Sequence, residues 1–228
     1  LKEKKNIVGI MGLGYVGLPL AMAFSLSKIK TIGYDINKKR VALLKRKKSY
    51  LSSVSDDIIR KTYKNFDTTS NVEDLSKSDV IIICVPTPIN DTTKIPILKH
   101  VKEVILKLEK INLTKKIIIF ECTSYPGTTE EIFIPFAKRK KNEIGENIFL
   151  GYSPEREDPG NKKYSLEKKN IPKIISGKTN KCQELTSLVY KQITNKLVTV
   201  SNIKTAEFTK LLENIYRSIN IGLINELS

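Results

Sequence analysis

The fold is decided by the stretch Ile7-Val8-Gly9-Ile10-Met11-Gly12-Leu13-Gly14-Tyr15-Val16-Gly17. Its first part is the apolar block expected of a strand that is buried on both faces. The last three glycines have the spacing of a strand-to-helix turn. The first permits the tight turn, the second lets the backbone approach a pyrophosphate, and the third lets helix and strand pack closely. Free N–H groups at the helix start favour phosphate, so this stretch predicts a dinucleotide site.

An acidic residue follows at the position that such a site requires. Asp35 comes directly after the second predicted strand, 18 residues beyond Gly17. A carboxylate there accepts hydrogen bonds from the ribose hydroxyls of the adenosine and repels a 2′-phosphate. Arg40 lies nearby, and an arginine can also serve a 2′-phosphate. We therefore expect the cofactor to be NAD. Arg40 is the one residue that favours NADP instead.

Short apolar runs alternate with longer amphipathic segments along most of the chain. The predicted strands are Ile7–Met11, Thr31–Tyr34, Val80–Cys84, Ile117–Phe120, Ile148–Tyr152, Lys173–Ser176 and Leu197–Val200. The predicted helices are Val16–Lys28, Lys38–Arg46, Leu98–Lys110, Thr128–Lys138 and Cys182–Gln192, followed by a long one over Thr205–Leu227. This alternation predicts an α/β fold with a Rossmann-type, doubly wound parallel sheet over residues 1–202. Residues 203–228 are expected to begin a central helical domain that is truncated here.

Polar segments follow the predicted strands where a ligand would bind. They are Val85–Pro88, Glu121–Thr123 and Ser153–Arg156. In open α/β sheets ligands bind beyond the carboxyl ends of the strands. Together with Asp35 and the glycine turn, these segments predict one crevice.

Composition and charge exclude other classes of protein. The formal charge is +16 over 228 residues, but Lys and Arg are scattered and tryptophan is absent, which argues against a nucleic-acid surface. The uncharged run from Ile7 to Ser27 contains four glycines and Pro19, so a membrane anchor is not expected. Cys84, Cys122 and Cys182 are far apart, which favours a reducing cytoplasm and predicts neither disulfide nor metal.

Five ordered motifs give the chain a specific resemblance. They are Gly12–Leu20, Val85–Pro88, Tyr125–Glu130, Tyr152–Arg156 and Ala206–Asn214. The set resembles the UDP-glucose/UDP-mannosamine dehydrogenase family over essentially the whole chain. Within that family, Gly151–Asn161 is most similar to the enzymes that act on UDP-N-acetylglucosamine.

The resemblance implies a four-electron oxidation of the C6 alcohol of a UDP-sugar to a carboxylate, with two NAD⁺ consumed, for surface polysaccharide biosynthesis. A cysteine thiolate would capture the intermediate aldehyde, which is the usual logic of covalent catalysis. UDP-N-acetylglucosamine is the expected substrate, with UDP-glucose and UDP-N-acetylmannosamine as alternatives. The family also implies a homodimer that forms through the C-terminal helix.

The resemblance also implies a role for single residues. Those expected to bind the cofactor are Gly12, Leu13, Gly14, Tyr15, Val16, Gly17, Asp35, Arg40, Thr87 and Thr123. Those expected at the substrate are Thr123, Glu155, Arg156, Lys210, Asn214 and Arg217. Glu155 and Thr123 would orient the hydrolytic water, while Lys210 and Asn214 would stabilise an oxyanion. Independently of the resemblance, Lys210, Asn214 and Arg217 fall on one face of a helix.

The chain departs from the family in one respect. The glycine-rich segment that carries the nucleophilic cysteine, and the UDP-binding domain beyond it, are absent from the sequence. We therefore expect the chain to bind NAD without completing turnover, with Cys122 as the candidate for a substitute thiol. One alternative is a non-catalytic NAD-binding and dimerisation fragment, and another is a β-hydroxyacid-type dehydrogenase with the same front end.

Overall fold

The computed structural model describes residues 6–155 and 172–227. Its strands are β1 (Ile7–Met11), β2 (Lys30–Tyr34), β3 (Phe66–Thr69), β4 (Val80–Ile83), β5 (Ile117–Phe120), β6 (Phe149–Tyr152), β7 (Lys173–Gly177) and β8 (Leu197–Thr199). Its α-helices are α1 (Gly17–Leu26), α2 (Lys38–Lys45), α3 (Asp56–Thr62), α4 (Lys99–Leu108), α5 (Thr128–Arg139), α6 (Asn180–Tyr190) and α7 (Ile203–Glu226). A 3₁₀ helix spans Val72–Lys77.

The strands form one sheet in the order β3-β2-β1-β4-β5-β6-β7-β8. The chain leaves β1 for β2 on one side and later returns to pair β4 with the other side of β1. This reversal beside β1 is the topological switch point at which doubly wound sheets bind their ligands. The fold therefore places a crevice beyond the carboxyl ends of β1 and β4.

Helices cover both faces of the sheet. Strand side chains alternate between the faces, so Val8 and Ile10 pack against one layer and Met11 against the other. The first layer contains α1, α3 and α6, and the second contains α4, α5 and the start of α7. The central strands are buried throughout, which accounts for their unbroken Ile and Val blocks.

The predicted α/β fold is confirmed, and each predicted helix or strand lies within two residues of the observed bounds. One feature differs from a fully parallel sheet, because β7 runs antiparallel to β6. The sequence analysis also missed β3, α3 and the 3₁₀ helix. No described helix is long and apolar enough to cross a bilayer.

Candidate functional site: a nucleotide crevice at the switch point

The glycine turn joins β1 to α1 at the edge of the crevice. The backbone N–H of Gly12 donates to the carbonyl of Tyr34 over 2.8 Å, and that of Cys84 donates to Met11 over 2.8 Å. These bonds continue the parallel ladder past the ends of the strands, so the turn is held against both neighbours. The start of α1 therefore faces the open end of the sheet, where its N–H groups favour phosphate.

The glycines of the turn meet different steric demands. Gly12 has φ +93°, and a Cβ on it would lie 2.6 Å from the carbonyl oxygen of Cys84. A Cβ on Gly17 would lie 1.8 Å from the carbonyl oxygen of Gly12. A Cβ on Gly14 would meet nothing within 4 Å. Gly12 and Gly17 are therefore required by the fold, whereas Gly14 leaves the space in which a pyrophosphate could approach the backbone.

Asp35 is fixed at the end of β2 by the turn itself. One carboxylate oxygen accepts from the N–H of Leu13 over 3.0 Å, and the other accepts from the N–H of Asn37 over 2.8 Å. Arg40 Nη1 lies 3.5 Å from the carboxylate. A carboxylate offers about four acceptor positions, so two remain for a ribose diol.

Residues that the sequence analysis had not singled out complete this end of the crevice. The Tyr50 hydroxyl donates to the carbonyl of Leu13 over 2.5 Å, and the Arg40 guanidinium lies 5.3 Å from the centre of the Tyr50 ring. A pocket beside Asp35 is lined by Met11, Gly12, Tyr34, Asp35, Ile36, Arg40, Val85, Pro86, His100, Glu103, Val104 and Lys107. His100, in the first turn of α4, also lines this pocket, a position that the sequence analysis did not assign to it. Only the amphipathic spacing of α4 could have indicated this.

The loops after β4 and β5 meet at the middle of the crevice. The Thr87 hydroxyl donates to the carbonyl of Thr123. Both threonines are half-buried. The structure therefore brings together two residues for which the family resemblance implies a position along the cofactor.

Glu155 follows β6 at the next strand end and is mostly buried. Lys173 Nζ, from the first residue of β7, lies 3.9 Å from Glu155 Oε2 and pairs more closely with Glu121, which directly follows β5. Burial raises the pKa of Glu121 to about 8. The sequence analysis treated Glu121 as part of a polar loop and did not foresee a buried ion pair with a residue 52 positions away.

Helix α7 is attached to the start of α5 through a buried carboxylate. Glu207 is fully buried, and it accepts from the N–H of Gly127, from the N–H of Thr129 over 3.0 Å and from the Thr129 hydroxyl over 2.7 Å. These donors lie at the first turn of α5, where N–H groups lack partners within the helix. Burial raises the pKa of Glu207. Sequence reasoning missed this residue, although it lies inside a motif quoted above.

Lys210 and Asn214 lie on the same side of α7 as Glu207, because residues three and four apart share a helix face. Both are half-buried, and the start of α7 packs along β6 and β7. Arg217, one turn further, is exposed. Arg156 lies outside the described residues.

The three cysteines are buried and none forms a disulfide. Burial raises the pKa of the Cys122 thiol to about 12 and also raises that of Cys84 well above its ordinary value. Because the thiolate is the nucleophile, neither side chain is suited to attack a carbonyl at neutral pH. Cys122 therefore does not have the properties of a substitute catalytic thiol.

We expect the native chain to react with a thiol reagent such as dithiobisnitrobenzoate at least about a hundredfold more slowly than the unfolded chain, because buried thiols are inert. Absorbance of the released thiolate, followed with and without denaturant, measures this. The Cys122→Ser variant is the control that assigns any fast phase. A fast phase in the native chain that disappears in this variant would contradict the expectation.

A glycine turn at a switch point, a buried aspartate after β2 and a helix start facing the crevice define a dinucleotide-binding domain. The sequence model described as "UDP-glucose/GDP-mannose dehydrogenase family, NAD binding domain" matches residues 6–194. The chain belongs to this family, and its cofactor is NAD.

Known proteins of similar sequence or structure include two that carry nucleotide-sugar dehydrogenase names. Protein CapL of Staphylococcus aureus is 40% identical, covering 97% of this chain and 51% of that protein. UDP-N-acetyl-D-glucosamine 6-dehydrogenase of Salmonella typhi is 39% identical, with the same coverage of 97% and 51%. The structure of UDP-D-ManNAc dehydrogenase from Pyrococcus horikoshii superposes with a TM-score of 0.88 at 29% identity, over 96% of this chain and 52% of that one. The chain thus spans about half the length of the relatives that it matches.

Proposed function

We propose that this chain is the NAD-binding half of a UDP-N-acetylhexosamine 6-dehydrogenase. The observation that carries the proposal is the crevice, in which Asp35, the glycine turn and the Thr87–Thr123 contact form a track from β2 to Glu155. When bound, NAD supplies the acceptor for the hydride that leaves the sugar C6. We further propose that residues 1–202 form the NAD-binding domain and that residues 203–228 begin the next one.

Different residues along this track are proposed to contact different parts of the cofactor. Residues Gly12–Gly17 hold the pyrophosphate, Asp35 takes the ribose diol, and Arg40 lies against the adenosine. Thr87 and Thr123 lead toward the nicotinamide. Glu155 and Thr123 orient a water molecule at the reacting carbon.

The substrate side of the site is formed by α7. Lys210 and Asn214 present an ammonium and an amide from a rigid helix, which suits negative charge that develops on oxygen in a transition state. Arg156 and Arg217 are proposed to contact the substrate. The assignment of Lys210 and Asn214 is supported by the buried contacts of Glu207, which fix the face of α7 that carries both residues.

We expect Asp35→Asn to weaken NAD⁺ binding about tenfold, because a neutral amide is a poorer acceptor for two hydroxyls. The asparagine oxygen can still accept from the N–H of Leu13, so the contact with the glycine turn should remain, while the bond from the N–H of Asn37 is lost. The same variant should discriminate less against NADP⁺, because the charge that repels the 2′-phosphate is gone. Isothermal titration calorimetry with both cofactors measures the change.

The matched control for this variant is Asp67→Asn, on the exposed face of β3 beside β2. It makes the same chemical change away from the crevice and should leave NAD⁺ affinity unaltered. Equal affinities for NAD⁺ in the wild-type and Asp35→Asn chains would contradict the assignment of Asp35 to the ribose.

The relatives support a UDP-N-acetylhexosamine but name two of them. The S. typhi relative carries the name of a UDP-N-acetyl-D-glucosamine enzyme, and the P. horikoshii structure that of a UDP-D-ManNAc enzyme. We propose UDP-N-acetylglucosamine, because of the likeness at Gly151–Asn161. The product would serve surface polysaccharide synthesis. We place the protein in the cytoplasm, and its three unbridged cysteines support a reducing compartment.

A test of the whole proposal measures NADH formation with NAD⁺ and a panel of UDP-sugars, alongside NAD⁺ binding by calorimetry. We expect the 228-residue chain to bind NAD⁺ without forming NADH, because its described thiols are buried. Adding the C-terminal half of the S. typhi relative should allow turnover, fastest with UDP-N-acetylglucosamine. Turnover by the chain alone would overturn the proposed division of the enzyme, and failure to bind NAD⁺ would overturn the cofactor site.

We also propose that the chain forms a homodimer through α7. The outward face of this helix exposes a continuous apolar stripe formed by Phe208, Leu212, Ile215, Ile219 and Leu223, each at least 44% exposed. Monomeric proteins rarely leave such a stripe in water. The stripe faces away from the side that carries Glu207, Lys210 and Asn214, so pairing would leave the crevice open.

We expect the native chain to sediment at twice the 25.8 kDa of one copy and Ile219→Glu to sediment as a monomer, because burying an unpaired charge is costly. Ile221→Glu is the matched control. Ile221 is equally apolar and is also exposed, at 54% against 64% for Ile219. Residues two positions apart on a helix point about 200° apart, so Ile221 lies off the stripe. Dissociation by both variants, or by neither, would contradict pairing through this stripe.

A further inference from the structure

Tyr50 lies on the loop between α2 and α3 and contacts the glycine turn. Its hydroxyl donates over 2.5 Å to the carbonyl of Leu13, which is 37 positions away in the chain. Burial raises the pKa of Tyr50, so the hydroxyl keeps its proton and remains a donor at neutral pH. A loop outside the glycine motif therefore supplies a partner for the backbone of the turn.

The loop that carries Tyr50 is anchored to the start of α3. The Asp56 carboxylate accepts from the N–H of Ser49 over 2.7 Å and from the Lys48 ammonium over 2.8 Å. On the other side of Tyr50, the side chain of Leu51 is buried. The residues that flank Tyr50 are thus held by contacts of their own, so Tyr50 is placed independently of the turn that it contacts.

The ring of Tyr50 is also held in place. It packs against the core layer that contains α1 and α3, and the Arg40 guanidinium lies 5.3 Å from its centre. Arg40 Nη1 lies 3.5 Å from the carboxylate of Asp35, which accepts from the N–H of Leu13. The Tyr50 ring, the arginine, the aspartate and the turn therefore form one connected set of contacts.

The hydrogen bond from Tyr50 fixes one peptide plane of the turn. In a trans peptide the C=O of one residue and the N–H of the next point in opposite directions, and no described peptide bond is cis. The carbonyl of Leu13 points to Tyr50, so the N–H of Gly14 points away from it. Because Asp35 holds the N–H of Leu13, both peptide planes that meet at Leu13 have a fixed orientation.

We infer that Tyr50 is a positioning residue for the cofactor, because its hydroxyl orients the Gly14 N–H toward the pyrophosphate. The inference rests on the proposed function, which assigns the pyrophosphate to Gly12–Gly17. Tyr50 acts here through the turn and not by touching the cofactor. It lowers the cost of binding, since the turn already has the orientation that the pyrophosphate requires.

The variant that tests this role is Tyr50→Phe, which removes the hydroxyl and keeps the ring with its packing. We expect it to bind ADP-ribose, which contains adenosine and the pyrophosphate, about fivefold more weakly than the wild-type chain, the effect of one neutral hydrogen bond. Its affinity for adenosine, which lacks the pyrophosphate, should be unchanged. Calorimetry measures the first affinity and an NMR shift titration the second. A general loss of structure would weaken the binding of both ligands.

The matched control is Tyr63→Phe, which makes the same chemical change at the C-cap of α3. Tyr63 also has a cation at its ring, since Lys47 Nζ lies 4.1 Å from the ring centre. It lines a pocket together with Lys30, the first residue of β2, at the end of the sheet opposite to the turn. The affinity of this variant for ADP-ribose and for adenosine should equal that of the wild-type chain.

The nitrogen-15 NMR signal of the Gly14 amide, recorded without ligand, tests the orientation of the turn directly. This shift responds to a hydrogen bond on the preceding carbonyl, so we expect the signal to move in Tyr50→Phe and to stay in place in Tyr63→Phe. An unmoved signal in Tyr50→Phe, or an unchanged affinity of that variant for ADP-ribose, would overturn the inference. If the wild-type chain bound neither ADP-ribose nor NAD⁺, the proposed function would fail, whereas the Gly14 signal would still show whether Tyr50 orients the turn.

Discussion

Gly17→Ala is expected to lower the free energy of unfolding by about 3 kcal/mol, the upper part of the range for overpacking a tight contact. The added Cβ would lie 1.8 Å from the carbonyl oxygen of Gly12. Neither group belongs to a flexible side chain, so the clash can be relieved only by moving β1 away from α1. Urea unfolding followed by circular dichroism measures this loss.

Gly14→Ala provides the contrast within the same turn. A Cβ there meets nothing within 4 Å, and the φ of Gly14 is not in the left-handed region. We expect its stability to stay within about 0.5 kcal/mol of wild type. NAD⁺ affinity should nevertheless fall at least about tenfold, because the methyl group occupies the approach of the pyrophosphate.

The two variants separate the fold from the binding site. A stable Gly17→Ala chain would show that close packing of β1 and α1 is not what this glycine provides. If the Gly14→Ala chain kept full NAD⁺ affinity, the assignment of the pyrophosphate to this turn would be contradicted.

Glu207→Ala should destabilise the chain by about 3 kcal/mol, because it leaves two buried N–H groups and one hydroxyl without their acceptor. It should also loosen α7, since Glu207 joins that helix to Gly127 and Thr129. Urea unfolding gives the first effect. Amide hydrogen exchange along α7 gives the second, as faster exchange in residues 203–214.

The control is Glu226→Ala, an exposed glutamate on the same helix, for which we expect a change within about 0.5 kcal/mol. Glu207→Gln keeps one carbonyl oxygen as acceptor, so its free energy of unfolding should lie between those of Glu207→Ala and Glu226→Ala. Equal stability of Glu207→Ala and Glu226→Ala would mean that the buried bonds of Glu207 do not hold α7 in place.

The central strands could be predicted because their information is local. Val80–Ile83 and Ile117–Phe120 are solid apolar blocks, which only a strand buried on both faces requires. By contrast, β3 is Phe66-Asp67-Thr68-Thr69 at the edge of the sheet, alternately buried and exposed. Such a short polar edge strand has no apolar run that would indicate it. It forms because the outer edge of β2 has backbone N–H and C=O groups that need hydrogen-bond partners.

Helix α3 was predictable in principle. Ser55 accepts from the N–H of Ile58, with Asp56 and Asp57 in the first turn, which is an ordinary N-cap pattern. The helix was not predicted because its 7 residues are too few to show a helical repeat of apolar positions. The direction of β7 was not predictable from its composition, because a parallel and an antiparallel strand can carry the same buried residues, and only the path of the chain between strands decides which forms.

The sequence by itself determined the α/β architecture, the glycine turn and the carboxylate after β2, because each depends on residues close together in the chain. Only the tertiary structure decided that Lys173 and Tyr190 hold Glu121 and that Glu207 holds the start of α5. The partners in these contacts are between 52 and 80 residues apart. A buried charge must find a partner wherever folding brings one near, and no local spacing records which residue that is.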